Sequence, residues 1–134
     1  GQPLTVFGTG EQDRDFVYVG DVAEASRLAS ERLTGGWQAG ATGAVGAEEP
    51  VDAPAFNVGT GRATTVLDLV RAFRKFAGRD VEIRHAPARA GELLHSTLDP
   101  GKIAGQLGWK ASTPLAEGLE RTFRYFESLP GAVS

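Results

Sequence analysis

Ala55-Phe-Asn-Val-Gly-Thr-Gly-Arg-Ala-Thr-Thr-Val-Leu-Asp-Leu-Val-Arg-Ala-Phe-Arg-Lys-Phe-Ala-Gly78 changes its hydrophobic period partway along. Ala55–Val58 is a short apolar run of strand type. Gly59-Thr-Gly61 then turns the chain. Beyond it Val66, Leu69, Val70, Phe73 and Phe76 recur at helical spacing and share one face. Thr65 stands where a helix cap belongs, with Asp68 three residues on, and Gly78 stops the helix. Strand, glycine turn and amphipathic helix make one α/β unit.

The flanks extend that pattern. Upstream, Leu4–Phe7 reads as a strand stopped by Gly8-Thr-Gly10, and Phe16–Val19 as a second, buried strand. At Gly20-Asp21 the period switches to helical: Asp21 serves as the cap, Glu24 completes a box, and Val22, Ala25, Leu28, Ala29 and Leu33 form the apolar face. Residues 35–55 are rich in Gly and Ala without periodicity, and read as a long flexible surface loop, its start pinned by Trp37. Downstream, Val81–His85 alternates like a half-buried strand ended by Pro87, and residues 86–98 form a loop. Asp99-Pro100 opens a short helix closed by Gly108-Trp109. Thr113-Pro114 opens the last helix, striped by Leu115, Leu119, Phe123 and Phe126 and stopped by Pro130-Gly131. The expected order is β, β, α, loop, β, α, β, α, α in one domain spanning residues 1–134. Four short strands are few for helices that each carry an apolar face, so a covering partner is expected.

Composition narrows the function. The formal net charge is −3, which gives no general attraction to nucleic acid or to anionic membranes. No apolar run reaches the ~20 residues of a membrane span. There is no cysteine, hence no disulfide framework and no thiolate nucleophile, and the cytoplasm is the default compartment. There is also no methionine, and the chain opens on Gly1, which reads as a processed product or a piece of something longer.

Taken singly, the candidate sites have bland readings. Gly59-Thr-Gly61 before a helix could bring backbone N–H groups to a phosphate, with Asp80 about 20 residues on as a ribose acid. Thr64 breaks that glycine pattern, so a tight βα turn is the simpler reading. Asp13-Arg-Asp15 reads as local salt bridges on a surface turn. In Pro87-Ala-Arg-Ala-Gly-Glu92, Arg89 could fork onto a phosphate and Glu92 accept from a ribose hydroxyl; a solvated Arg/Glu contact is simpler. His85 and His95 lack the cluster a metal site needs, so no metal is expected.

Their order is more specific. Gly8-Thr-Gly-Glu-Gln-Asp-Arg-Asp-Phe-Val-Tyr-Val-Gly-Asp-Val-Ala23, Phe56-Asn-Val-Gly-Thr-Gly61, Ala88-Arg-Ala-Gly-Glu92 and Leu107-Gly-Trp109 together resemble the C-terminal half of the NAD-dependent epimerase/dehydratase family, the extended short-chain dehydrogenases. Within it the segment resembles the UDP-glucose 4-epimerases. The resemblance leaves out only residues 36–54, which look like an insertion.

The resemblance implies a Rossmann-type α/β fold, present here as its substrate-binding part with the NAD-binding half missing. It implies that Arg14 and Arg89 contact the diphosphate of a UDP-sugar or other NDP-sugar. Asn57 would bond near the phosphate or sugar, and Glu92 would hold the ribose. Asp21 matches the second acid of the family's V-D-D-V segment, and Gly20 replaces the first. NAD is the implied cofactor of the intact enzyme, a homodimer, with its main site outside this segment. The family's Tyr-x-x-x-Lys pair is absent: Tyr18 is followed four residues on by Val22, and Tyr125 by Leu129. No catalytic residue is therefore expected in this segment, which alone would be inactive. A sugar-nucleotide 4,6-dehydratase, a decarboxylase and a non-catalytic binding module of the same fold are the alternatives. Because strands of this half interleave with the other half in the family, the segment by itself is expected to be marginal or to self-associate through an exposed edge.

Overall fold

Thr65 and Asp68 close a reciprocal capping box at the start of α2 (Val66–Ala77). The Asp68 N–H donates to Thr65 Oγ1 at 3.1 Å, and the Thr65 N–H donates back to Asp68 Oδ2 at 3.3 Å. Gly78 ends the helix at φ 62°, a left-handed turn open to glycine. Two more N-terminal donors are satisfied from outside: Val66 N–H by the Gln12 carbonyl and Leu67 N–H by that of Gly10. Thr65→Ala removes the cap acceptor and is expected to cost about 1 kcal/mol, read as a lower urea midpoint.

The computed structural model describes residues 3–35, 55–78 and 80–130. The expected loop at 35–55, including Trp37, lies almost wholly outside them. Within them the order is β1 (Leu4–Phe7), β2 (Asp13–Arg14), α1 (Val19–Thr34), β3 (Thr64–Thr65), α2, β4 (Ile83–Ala86), α3 (Gly101–Leu107) and α4 (Leu115–Ser128). The chain is α/β, as expected. β1 pairs in parallel with β4, Leu4 against Ile83 through Phe7 against Ala86. β2 pairs antiparallel with β3, Asp13 against Thr65 and Arg14 against Thr64.

Two expected strands do not form among the described residues. Phe16–Tyr18 is extended without a ladder, and α1 already begins at Val19. Ala55–Val58 likewise has no strand partner. β-branched and aromatic residues make such runs fit for a sheet, but a strand exists only where a neighbour takes its N–H and C=O groups. Phe56, Val58 and Val17 instead pack on the core of Ala25, Ile103 and Trp109. The converse error is β3, a two-residue strand with no sequence signal of its own.

Asp21 is not the cap of α1. Tyr18 holds that position without a side-chain bond, and Asp21 lies inside the first turn, 6% exposed. Glu24 forms no capping box; it pairs with Arg27 at 2.7 Å. α1 lies against α3, and α2 against α4. The apolar stripes run past these contacts: Leu33 on α1 and Phe126 on α4 stand 59% and 58% exposed. Among the described residues no helix is long and apolar enough to cross a membrane.

Candidate functional site

Asp13-Arg14-Asp15 is no local salt-bridge turn. Its three side chains reach two distant parts of the chain, the 92–98 segment and the Thr60–Gly61 turn. Arg14 Nη1 donates to the carbonyls of Asp13 at 2.6 Å and Leu93 at 2.8 Å, and Nη2 lies 3.7 Å from Glu92 Oε1. Asp13 faces His95: the imidazole Nδ1 donates to Asp13 Oδ2 at 2.6 Å, and the Ser96 N–H lies 3.3 Å from Oδ1. Backbone bonds from Asp13 N–H to Leu94 C=O and from Asp15 N–H to Ser96 C=O run the two segments side by side.

Asp15 grips the glycine turn. Its Oδ1 accepts from the Thr60 N–H at 2.8 Å and the Thr60 hydroxyl at 2.6 Å. Its Oδ2 accepts from the Gly61 N–H at 2.8 Å and the Leu98 N–H at 3.4 Å. The amides that a phosphate would use are therefore committed to a carboxylate of the same chain. Space is also exhausted: a Cβ on Gly59 would sit 2.7 Å from Asp15 Oδ2. Asp80, the candidate ribose acid, instead pairs with Arg74 at 3.0 Å. Gly59-Thr-Gly61 is a tight turn held by Asp15, although Ala55–Val58 before it forms no strand and β3 stands between it and α2.

The four candidate site residues separate into a group and an outlier. Arg14 and Glu92 meet directly, so Glu92 pairs with Arg14 rather than with Arg89. Arg89 lies one turn earlier in the same loop, its carbonyl accepting from the Glu92 N–H at 3.3 Å. Its guanidinium lies 4.0 Å over the Phe7 ring, at the end of β1, and has no carboxylate partner among the described residues. The ring face orients the guanidinium and leaves its N–H edges to solvent. Asn57 joins the other end of the loop, donating from Nδ2 to the Asp99 carbonyl at 3.3 Å. No bond among the described residues links it to the other three.

Two clefts flank this arrangement, and none of the four residues lines either. One, of about 720 Å³, opens between the Gly59–Thr60 turn, the Asp99–Gly101 corner and Trp109–Leu115. The other, of about 570 Å³, is apolar and runs from Phe16–Val19 to Tyr125 and Phe126. Between them sits Asp21, whose carboxylate accepts from Ser112 Oγ at 2.8 Å and Thr113 N–H at 2.9 Å, while its carbonyl accepts from Trp109 Nε1 at 3.0 Å. Among the described residues no group of three or more His, Asp or Glu could hold a metal ion.

Besides the capping Asp68, whose bonds from Thr65 lower it, three aspartates carry perturbed acidity. The His95 hydrogen bond holds Asp13 below its ordinary value near 3.8, against a smaller opposing effect of burial. Burial pushes Asp15 and Asp21 up, but bonds from Thr60, Gly61 and Leu98 to the first, and from Thr113 and Ser112 to the second, bring both down overall. A carboxyl whose folded pKa is depressed stabilises the fold above its unfolded pKa and ceases to as pH falls through the folded value. Stability is therefore expected to decline from about pH 4 downward. Urea midpoints measured from pH 6 to pH 2 check this; Asp15→Asn and Asp21→Asn should flatten the acid limb.

Sequence reasoning missed Asp15 as the clamp and Asp13 with His95 as a pair. No spacing rule finds contacts across 45 and 82 positions of sequence.

A family model described as GDP-mannose 4,6 dehydratase matches residues 1–122. The UDP-glucose 4-epimerase of Bacillus subtilis is 33% identical over 95% of this chain and 35% of its own length. That of Neisseria gonorrhoeae is 33% identical over 96% of this chain and 36% of its own. Among solved structures, the Thermotoga maritima UDP-glucose 4-epimerase with UDP-glucose superposes with a TM-score of 0.74 at 38% identity, covering 93% of this chain and 35% of that one. The Thermus thermophilus UDP-glucose 4-epimerase complex with NAD gives 0.73 at 32%, covering 96% and 36%. The chain thus spans about a third of the length of these relatives.

Proposed function

This chain belongs to the NAD-dependent epimerase/dehydratase family, and we propose that it supplies the nucleotide-sugar-binding, C-terminal part of a 4-epimerase of the UDP-glucose/UDP-galactose type. The observation that carries this reading is the meeting of two motifs distant in sequence. Arg14, from the first, and Glu92, from the third, are brought into contact, with Arg89 one turn away. Two cations and an acid thereby gather on one side of an otherwise acidic chain, a composition suited to a diphosphate flanked by a ribose.

In this reading Arg14 and Arg89 offset the charge of the diphosphate. Glu92 accepts from a ribose hydroxyl, and Asn57, at the far end of the loop, bonds to the phosphate or the sugar. Arg14 is already engaged by Leu93 and Glu92, so it acts as a fixed charge, whereas Arg89 offers its free edges. The relatives act on, or are complexed with, UDP-sugars and NAD, and NAD would serve the intact enzyme as transient hydride acceptor. The Gly59-Thr-Gly61 turn has its amides on Asp15, and the main NAD site would lie elsewhere in the intact enzyme. No Tyr-x-x-x-Lys pair is present either. The intact enzyme would be a cytoplasmic homodimer.

Incubating the whole gene product that carries this chain with UDP-glucose and NAD is expected to yield UDP-galactose. The dehydratase description of the matching family model favours one competing outcome, a 4-keto-6-deoxy product. Appearance of that product instead would overturn the epimerase reading. Absence of both, with UDP still bound, would favour a binding module.

A further inference from the structure

Val6 and Phe7 are consecutive residues of β1 and so point to opposite faces of it. Val6 is 2% exposed and faces the core, which leaves Phe7 on the other side, half-buried. What lies over its ring is a cation: Arg89 Cζ is 4.0 Å from the ring centroid. The ring is anchored. Phe7 stands opposite Ala86 in the parallel ladder of β1 and β4, and the Gly8 N–H donates to the Ala86 carbonyl at 2.9 Å. The two backbones stay close beyond the ladder, where a Cβ on Gly8 would lie 3.3 Å from that of Ala88. Ring and loop base therefore form one corner, and Arg89 leaves the loop directly above it.

We propose that Phe7 is a positioning residue for the nucleotide-sugar site, whose ring face, through its electron density rather than its apolar bulk, holds the Arg89 guanidinium in place before the ligand arrives. This inference rests on the nucleotide-sugar reading above and deepens it. Arg89 is exposed, and no carboxylate among the described residues holds it. Without the ring, a long and flexible side chain would have to be ordered at the moment of binding. The negative face of an aromatic ring attracts the guanidinium plane, and a flat stack leaves the N–H edges clear for phosphate oxygens. Phe7 acts on the ligand only through Arg89.

The test is calorimetric titration of UDP into the whole gene product with position 7 altered. Phe7→Leu keeps apolar bulk and removes the ring face, and is expected to weaken UDP binding about three- to tenfold, the cost of ordering one free side chain. Mono-, di- and trifluorophenylalanine in place of Phe7 keep the ring's shape while draining its face stepwise. The dissociation constant should rise stepwise along that series, and the same series in the Arg89→Ala background should be flat. A ring with a merely structural role would leave the fluorinated series flat in both backgrounds, and that result would overturn the inference. So would a graded loss that persists without Arg89, because the ring would then meet the ligand itself. The fluorinated series decides the matter even where Phe7→Leu disturbs β1. A wild-type protein that binds no UDP would instead sink the nucleotide-sugar reading, and this inference with it.

Discussion

Asp15→Ala is expected to lower the unfolding free energy by about 3 kcal/mol, the largest stability loss anticipated for a polar side chain here. The carboxylate satisfies the N–H groups of Thr60, Gly61 and Leu98 and the Thr60 hydroxyl. Each bond to a charged acceptor is worth about 1.5–3 kcal/mol, and Thr60 lies half-buried, so water recovers only part of the loss. The damage would be local as well as global. Asp15 ties β2 to the Gly59–Gly61 turn and to Leu98 at the end of the 86–98 loop, so its removal frees that turn from its side-chain anchor. Asp15→Asn should fall between wild type and Ala, because one amide oxygen still accepts while the NH2 meets N–H donors. Chemical denaturation of the three proteins measures the series. An Ala variant within ~0.5 kcal/mol of wild type would show that the clamp contributes little.

Arg89→Ala, in the whole gene product, is expected to raise the UDP dissociation constant at least tenfold. A charge-assisted bond of about 1.5–3 kcal/mol corresponds to roughly one to two orders of magnitude in affinity. Arg89 is the candidate cation whose charge no carboxylate among the described residues already offsets, which is why its effect should exceed that of an arginine bound internally. Its stacking on Phe7 at 4.0 Å fixes the plane of the guanidinium before any ligand arrives. Arg89→Lys keeps the charge but loses the fork and the stack, and should recover only part of the affinity. Calorimetry showing an unchanged constant for Arg89→Ala would remove this residue from the site.

The elements legible in the sequence are those whose stability is local. α2 could be placed within a residue because Thr65, Asp68 and Gly78 carry their own hydrogen-bond and backbone instructions. β1 and β4 were visible as alternating or β-branched runs, although no pattern said that they pair with each other in parallel. Phe16–Val19 and Ala55–Val58 have strand composition and no strand, since composition supplies side chains and not neighbours. Asp21 has the chemistry of a cap and the position of a buried hub, because its partners Ser112 and Thr113 lie 91 and 92 residues on.

For the candidate site, no residue stood above its bland reading alone; the order of the motifs pointed to one family, and that resemblance implied two arginines, an asparagine and an acid. What each of those groups spends its charge on was decided by tertiary contacts. Arg14 is held by Leu93 and Glu92, Arg89 lies over Phe7, Asn57 reaches Asp99, and the glycine turn is filled by Asp15. The cap and the glycine stop of α2 are set by interactions a few residues apart, so the sequence by itself determined them. A hydrogen bond or ion pair between distant segments depends on which backbones the folded core brings within about 3 Å, and only the tertiary structure decided that.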